Sequence, residues 1–144
     1  MTWRRATSAD CPLLGELNHQ LIQDQVHRNP MTVPQLVQRM RGWLEGEYVA
    51  LLFEEGGEVV AYALYREEPD EIYLRQLFVV RHHRRQGLGK QAMHLLRSEI
   101  WPKTKRLTVE VLVANAAAVA FWRAIGYRDY SLKLEIVPTD VAGN

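Results

Sequence analysis

The sequence is poor in cysteine and has no long apolar run. Cys11 is the only cysteine among 144 residues, so no disulfide can form within the chain. This excludes a small secreted scaffold held together by disulfides. No apolar run approaches the roughly 18 residues that span a bilayer, and the first residues lack the apolar core of a signal peptide. We therefore expect a cytoplasmic protein without membrane contacts.

The sequence also lacks a large net charge. Its 18 lysines and arginines balance 17 acidic residues, which leaves a formal charge of +1. No overall field therefore attracts nucleic acid or a membrane surface. Basic residues do cluster in residues 81–85, Arg-His-His-Arg-Arg. Because this cluster has neither stacking aromatics nor a second basic stripe beside it, we expect no nucleic-acid binding.

Hydrophobic periodicity predicts the element order β-α-α-β-β-β-α-β-α-β. The predicted strands are residues 3–6, 48–53, 58–66, 72–80, 106–113 and 127–137. The predicted helices begin at Thr7 or Ser8, at Thr32, near Gly87 and at Ala116. Three strands joined by turns and followed by strand–helix alternation indicate an α/β (α+β) fold, a mixed sheet with helices on both faces. We expect one domain over residues 1–137 and a C-terminal tail over 138–144.

Residues 84–90, Arg-Arg-Gln-Gly-Leu-Gly-Lys, lie between a predicted strand and a predicted helix. The first amides of a helix have no partner within the helix and carry the positive end of its dipole. Glycines there let an anion approach the backbone closely. The segment therefore predicts a phosphate or pyrophosphate cradle. The alternative is a plain strand-to-helix turn with solvated arginines.

Other ligands for this segment are disfavoured. A Walker loop requires Ser or Thr where Gln91 stands, and a dinucleotide loop requires a third glycine where Ala92 stands. His82 and His83 suggest a metal, but adjacent side chains are expected to point apart. No cysteine or carboxylate is expected to complete the ligand set. We therefore predict no metal.

Two separate motifs resemble those of the GNAT superfamily of acetyl-CoA-dependent N-acetyltransferases. Arg84, Gly87 and Gly89 match its Arg-x-x-Gly-x-Gly pattern and follow Leu77-Phe78-Val79. Residues 115–127 resemble its second signature, an asparagine opening a helix that ends in Gly-Phe or Gly-Tyr. The predicted element order matches over nearly the whole chain. The resemblance implies a three-layer fold whose central mixed sheet is splayed at the cofactor site.

The resemblance also implies how acetyl-CoA is held. The pyrophosphate would bind backbone amides of residues 85–90. The pantetheine arm would lie between the strand ending at Val79 and the strand 106–113, paired with β-strand backbone, and a bulge would direct one amide at the thioester oxygen. Asn115 would bind the arm, cap its helix, or do both. The expected cofactor-binding residues are Leu77, Phe78, Val79, Arg84, Arg85, Gln86, Gly87, Leu88, Gly89, Lys90 and Asn115.

Glu110 is the candidate general base, because the attacking amine must be neutral. In the resembling family, a glutamate five residues before the asparagine acts as base, directly or through water. Thr108 and Glu110 share one face of their predicted strand, and a carboxylate there must face water, a partner or a cavity. The alternative is a structural ion pair with Arg75 or Lys133.

The acceptor is expected to be a small-molecule amine, with a protein lysine or N-terminus as the alternative. Tyr73, Arg75 and Leu77 alternate with Leu74 and Gln76 on the preceding strand, so Tyr73 and Arg75 are candidate acceptor-binding residues. Arg75 either recognises an acidic group or neutralises Glu110. Asp24 and His27 lie in the loop that covers the acceptor in the resembling family. The alternative is that both are surface loop residues with no role in acceptor binding.

Trp122 stands where the family usually has a tyrosine acid. An indole N–H does not give up its proton near neutral pH, so either Tyr127 or Tyr130 replaces it or the thiol leaves as thiolate. Trp122 itself is expected in the core. A non-catalytic domain that binds acyl-CoA is the alternative function.

A single C-terminal strand leaves one edge of the predicted sheet without a neighbour. That edge is either open or completed by a partner subunit. In the second case, we expect the protein to be a homodimer.

Overall fold

The computed structural model describes residues 1–25 and 28–139. Its sheet has five strands, which lie side by side in chain order. These are β1 (Thr2–Arg5), β2 (Tyr48–Glu55), β3 (Glu58–Glu67), β4 (Glu71–Val79) and β5 (Arg106–Val109). Neighbours from β1 to β4 are antiparallel, whereas β4 and β5 are parallel. The predicted mixed sheet is confirmed.

Four α-helices join these strands, namely α1 (Cys11–Asp24), α2 (Val33–Glu45), α3 (Leu88–Leu95) and α4 (Ala116–Ile125). A π-helical turn, Leu96–Ile100, continues α3. The predicted capping box opens α2: Gln35 N–H donates to Thr32 Oγ1 at 3.4 Å, and Thr32 N–H donates to Gln35 Oε1 at 2.9 Å. No helix of the described residues is both long and apolar enough to cross a bilayer.

Helices cover both faces of the sheet, as predicted. Leu51 and Phe53 of β2 pack in the core beneath α3, whereas Ala50 and Leu52 pack in the core beneath α1 and α2. Because side chains alternate along a strand, a strand covered on both faces needs a continuous apolar run. That requirement explains why residues 50–53 are all apolar.

The pairing of β4 with β5 covers only the first part of β4. The last paired residues are Leu74 and Val109, and β5 ends there, short of the predicted end at Val113. β4 continues to Val79. On its β5 side, the described chain supplies no strand partner for residues 75–79. The pairing of the two strands therefore ends at Leu74 and Val109, and we call the unpaired edge of β4 beyond it the slot between β4 and β5.

β4 contains a bulge that the sequence pattern did not reveal. Gln76 pairs with Leu64, but Leu74 pairs with Tyr65, so Arg75 is the extra residue. A bulge reverses which face the following residues occupy. Leu74 and Leu77 consequently both pack in the α3-side core. The expectation that Leu77 lies on the same face of the strand as Arg75 was therefore wrong.

The predicted final strand, residues 127–137, was also wrong, because the structure has no strand there. The alternation of apolar residues favours a strand, but a strand needs a neighbour to pair with. Within the described residues, nothing pairs with the outer edge of β5. The alternating side chains are therefore exposed: Tyr130 83%, Leu132 68%, Leu134 81% and Ile136 97%.

Candidate functional site

The loop between β4 and α3 has an uncapped helix start. Gly87 is the N-cap residue, and no side chain caps it. The first helical bond runs from Gln91 N–H to the Gly87 carbonyl at 3.1 Å. The amides of Leu88, Gly89 and Lys90 therefore have no partner within the helix and point out of its end. This arrangement suits an anion.

Two residues of this loop have left-handed backbone conformations. Gly87 has φ 73°, which glycine adopts without strain, but Arg85 has φ 66°. A non-glycine residue in this region costs free energy of the order of 1 kcal/mol and occurs more often at functional sites. The loop is therefore held in a bent shape that its own local preferences do not favour.

Gly89, in the Arg-x-x-Gly-x-Gly motif, lies next to Phe121 in the motif of residues 115–127. A Cβ at this position would lie 3.2 Å from Cε1 and Cζ of Phe121 and 3.8 Å from Cγ2 of Val79. The missing side chain lets α3 pack closely against Phe121 of α4. Sequence reasoning assigned Gly89 only to anion binding and missed this contact, which depends on the tertiary approach of two helices.

Arg84 points back into the protein. Its Nε donates to the Val79 carbonyl at 3.0 Å, its Nη2 binds Asp24 Oδ2, and its guanidinium lies 5.1 Å from the centre of the Phe78 ring. Arg81 Nη2 binds the other Asp24 oxygen at 3.0 Å. The loop is thus tied both to the end of β4 and to the last residue of α1.

Asp24 was expected near the acceptor, but both of its carboxylate oxygens are occupied by arginines. Partial burial raises the pKa of this carboxyl, and the bonds and charges of Arg84 and Arg81 outweigh that effect, so the pKa is lowered. Asp24 is therefore an anchor for the loop. His27, the other predicted residue of this segment, lies outside the described residues.

Glu110 follows directly after β5, at the open end of the slot, and is exposed. It lies two residues after Thr108, which pairs with Tyr73. Burial and the negative charge of Glu110 both raise the pKa of Tyr73. No described residue forms an ion pair with Glu110, so the alternative of a structural pair with Arg75 or Lys133 is not what the structure has.

Arg75 lies instead against aromatic rings on the α2 side of the sheet. Its guanidinium is 4.6 Å from the centre of the Trp43 ring, and Nη1 donates to Tyr48 Oη at 3.4 Å. Arg39 lies 4.4 Å from the same Trp43 ring. Burial, together with the charge of Arg75, lowers the pKa of Arg39.

We call this surface, formed by Arg39, Trp43, Tyr48, Tyr73 and Arg75, the arginine–aromatic face. Sequence reasoning found Tyr73 and Arg75 but missed the others. The signal for Arg39 and Trp43 was their i, i+4 spacing on α2, which brings two side chains together on a helix surface. The face is positively charged and lies beside the slot.

Asn115 caps α4, because its Oδ1 accepts a hydrogen bond from Ala118 N–H at 3.1 Å. Trp122 packs edge-on against Phe121 and Tyr127, with ring centres 4.9 and 5.4 Å apart, and joins the α3-side core. The structural roles predicted for Asn115 and Trp122 are confirmed.

Neither tyrosine named as a replacement acid is suited to that task. Tyr127 Oη is buried and has no hydrogen-bond partner within the described residues, and burial raises the pKa of Tyr127 to about 12. Tyr130 lies against Arg106, at the start of β5. That is the opposite end of the strand from Glu110. Of the alternatives that the sequence offers, departure of the sulfur as thiolate needs no tyrosine acid.

The two histidines before the loop do not point apart. They lie in the 3₁₀ turn Arg81–His83, their ring centres are 4.2 Å apart, and both Nε2 atoms approach Glu58 Oε1, at 3.2 and 3.4 Å. Both reasons given against a metal, divergent rings and a missing carboxylate, were therefore wrong. Glu58 was missed because it is distant in sequence and comes from another strand.

A groove of about 700 Å³ lies along α3, away from the slot. Its lining includes Lys90, Arg97, Lys103, Lys105 and Trp101, and we call it the basic groove. It reaches neither Glu110 nor the arginine–aromatic face. The slot and the loop, which combine an open strand edge with uncapped amides, are therefore the candidate site.

The sequence is similar to known acetyltransferases. The sequence profile of the acetyltransferase (GNAT) family matches residues 18–127. The ribosomal protein bS18-alanine N-acetyltransferase of Escherichia coli K12 is 29% identical over 97 residues, which are 66% of this chain and 66% of the relative. The match thus spans just under two thirds of the relative's length.

Solved structures share the fold. A predicted acetyltransferase with acetyl-CoA from Clostridium acetobutylicum superposes with a TM-score of 0.72 at 15% identity, over 94% of this chain and 95% of that one. An aminoglycoside 6'-N-acetyltransferase from Acinetobacter haemolyticus has a TM-score of 0.74 at 16% identity, over 97% and 99%. The family match covers well over half of the sequence and includes both motifs. The chain belongs to the acetyltransferase (GNAT) family.

Proposed function

We propose that this enzyme transfers the acetyl group of acetyl-CoA to the primary amine of a small molecule that also carries an acidic group. The amine attacks directly while both substrates are bound. The observation that carries the proposal is the slot between β4 and β5, which lies between the uncapped start of α3 and the arginine–aromatic face.

The residues around the slot fit acetyl-CoA. The amides of Leu88, Gly89 and Lys90 would hold its pyrophosphate, and the exposed cations Arg85 and Lys90 add positive charge there. The backbone of residues 75–79, which has no strand neighbour on the β5 side among the described residues, would pair with the amide groups of the pantetheine arm. Acetyl-CoA supplies the thioester carbonyl that the amine attacks.

The remaining expected cofactor contacts keep narrower roles. Arg84 would shape the loop through Val79 and Asp24, to which its Nε and Nη2 already donate. Asn115 would reach the arm with its amide N–H₂, since its oxygen caps α4. Leu77 and Val79 would form the floor of the slot beneath α3.

Glu110 is proposed to accept the ammonium proton of the acceptor, directly or through a water molecule. A carboxylate at the end of β5 is exposed enough to exchange protons with solvent, and it neighbours Tyr73 on the acceptor side of the sheet. When the tetrahedral intermediate collapses, the C–S bond breaks, the sulfur leaves as thiolate and the nitrogen releases its extra proton to water, which gives the neutral amide. A thiol has an ordinary pKa of about 8.5, so thiolate needs little assistance near neutral pH.

The charge of the arginine–aromatic face favours an acceptor with a carboxylate or phosphate. Arg75 and Arg39 lie on the same Trp43 ring, and no carboxylate of the described chain forms an ion pair with either of them. Two such guanidinium groups attract an anion and repel a polycation. A polycationic aminoglycoside is therefore a poor fit.

A protein N-terminus is the second candidate acceptor. The observation that favours it is the 29% identity with the bS18-alanine N-acetyltransferase of Escherichia coli K12. An extended peptide end with an acidic side chain near its amine would use the same arginine–aromatic face.

The test is a thiol-release assay with acetyl-CoA and four groups of acceptors: amino acids and other acidic amines, neutral amines, aminoglycosides and short peptides. We expect turnover with the acidic amines. Glu110→Gln should lower kcat by about 10²–10⁴-fold and leave the Kd for CoA unchanged. The exposed Glu99, on the π-helical turn after α3, provides the matched control Glu99→Gln.

If no amine causes release of CoA, the proposed function is wrong. If Glu110→Gln reacts as fast as Glu99→Gln, the enzyme class stands but the assigned base is wrong. Turnover confined to peptides would select the second candidate acceptor.

We also propose a homodimer in which the exposed segment 130–136 pairs with a second copy. Its apolar side chains alternate as they do in a strand, and the outer edge of β5 has no partner in the described residues. Sedimentation should give a dimer at micromolar concentration that Leu134→Lys converts to monomer; a wild type that is only monomeric would contradict this.

The single domain over residues 1–137 and the cytoplasmic location stay predictions.

A further inference from the structure

Glu58, His82 and His83 bring three potential metal-ligand atoms together outside the slot. One carboxylate oxygen and two imidazole nitrogens all lie within 4.8 Å of one another. Glu58 opens β3 directly after the turn that joins it to β2, and the histidines follow β4. β3 and β4 pair Ala61 with Val79, and the Val80 N–H donates to the Val60 carbonyl at 2.9 Å, so the chain enters the 3₁₀ turn of the histidines beside the start of β3. The sheet itself thus positions the cluster.

We propose that Glu58, His82 and His83 form a binding site for a zinc-class divalent metal ion. In a tetrahedral zinc site, bonds of about 2.0–2.1 Å put neighbouring ligand atoms about 3.3 Å apart. The two separations between Glu58 Oε1 and the histidine Nε2 atoms, 3.2 and 3.4 Å, match that edge length. Three protein ligands leave the fourth position for water, which the exposed side chains of Glu58 and His82 allow.

The ligand types select the metal. Imidazole suits zinc, nickel and copper, whereas magnesium and calcium prefer sites made entirely of oxygen. Glu58 adds a carboxylate oxygen, a ligand that zinc accepts alongside imidazole.

A hydrogen-bonded cluster without metal explains the geometry less well. Such a cluster must share one oxygen, Glu58 Oε1, between two imidazoles. His83 Nε2 is buried and has no hydrogen-bond partner among the described residues, although it lies 3.4 Å from this oxygen. A buried polar atom without a partner is costly. A metal ion would bond to this nitrogen and remove that cost.

Such an ion would join two parts of the chain that are distant in sequence. It would tie the start of β3 to the segment that leads into residues 84–90, because Arg84 follows His83 directly. Its effect would therefore be to stabilise the fold beside the candidate acetyl-CoA loop. It would have no part in the transfer reaction itself.

The test is isothermal titration of untagged full-length protein with zinc chloride, since a histidine tag would itself bind zinc. We expect one zinc ion per chain. His82→Asn and Glu58→Gln should each weaken binding at least about tenfold, the range in which loss even of a supporting group affects metal affinity. The matched control is His94→Asn on α3, outside the cluster, which should bind zinc as wild type does. Magnesium chloride should give no binding.

Two further measurements do not depend on activity. Cobalt(II) should give the intense visible absorption of a four-coordinate ion in wild type and in His94→Asn, but not in His82→Asn. Zinc should raise the unfolding temperature of wild type and leave that of His82→Asn unchanged. Because His82 is 66% exposed, its replacement should not prevent folding, and circular dichroism checks this.

The proposal is overturned if wild type shows no saturable zinc binding. It is also overturned if His82→Asn and Glu58→Gln both bind zinc as tightly as His94→Asn does. Neither result would affect the proposed transfer reaction, which uses none of these three residues.

Discussion

Asp24, the last residue of α1, holds Arg84 in the loop that precedes α3. Asp24 Oδ2 binds Arg84 Nη2, while Arg84 Nε donates to the Val79 carbonyl at 3.0 Å. One guanidinium thereby connects a helix end, a strand end and the loop. Arg84, which the sequence suggests as a phosphate ligand, thus holds the loop to α1 and β4.

Replacing Asp24 with Asn should weaken CoA binding. The loop would lose the charge that fixes Arg84 and Arg81, and part of the binding free energy would then be spent on ordering the loop. We expect the Kd for CoA to rise about threefold to tenfold, which corresponds to about 0.7–1.4 kcal/mol. Titration calorimetry measures it. Asp129→Asn removes an exposed pair with Arg123 and should leave the Kd unchanged; an equal Kd in both variants would contradict the role of Asp24.

The Asp24 ion pairs should also make stability depend on pH. The pKa of Asp24 is lowered in the folded protein, so its contribution is present above the ordinary aspartate pKa of about 3.9 and is lost as pH falls through the lower folded value. The difference in unfolding free energy between wild type and Asp24→Asn should therefore be constant from pH 7 to 5 and shrink towards zero below pH 4. Urea titrations at several pH values measure it. A difference that grows on acidification would contradict the assignment.

Gly89→Ala should destabilise the protein through Phe121. The new Cβ would stand 3.2 Å from that ring, and overpacking of this kind costs about 1–3 kcal/mol. Phe121→Leu in the same chain should recover part of the loss, because it shortens the obstructing side chain. Denaturant unfolding of the single and double variants measures the coupling.

The control for that prediction is Gly42→Ala in the middle of α2. In the part of the chain that the structure describes, no atom beyond the adjacent helix backbone lies within 4 Å of a Cβ built there, so alanine should stabilise the helix by about 0.5–1 kcal/mol. If Gly89→Ala behaved like Gly42→Ala, the contact between α3 and α4 would not be tight.

Arg75→Gln should separate acidic from neutral acceptors. The variant removes a positive charge from the arginine–aromatic face, and a hydrogen bond to a charged group contributes about 1.5–3 kcal/mol. We expect the KM for acidic amines to rise about tenfold or more, with kcat and the KM for neutral amines little changed. Arg97→Gln, in the basic groove, is the control. A uniform loss with every acceptor would indicate a structural role for Arg75.

The sequence predicted the features that depend on neighbours along the chain. The capping box of Thr32 and Gln35, the cap at Asn115 and the loop before α3 each depend on a few adjacent residues, and each is present. The bulge at Arg75 and the approach of Gly89 to Phe121 depend on pairing between distant segments. No local pattern specifies such pairing.

The same distinction explains two further structural expectations that were wrong. Residues 127–137 have the alternation of a strand, but in the described chain they have no neighbour to pair with. His82 and His83 would diverge in a strand, yet they converge in a 3₁₀ turn where β3 supplies Glu58. In both cases the deciding interaction comes from another element of the fold.

A crystal structure of the enzyme with CoA tests the proposed site most directly. The pyrophosphate should lie within hydrogen-bond distance of the amides of Leu88, Gly89 and Lys90, with the pantetheine arm along residues 75–79 and its sulfur towards Glu110. CoA bound in the basic groove along α3, with the slot between β4 and β5 closed, would contradict the proposal.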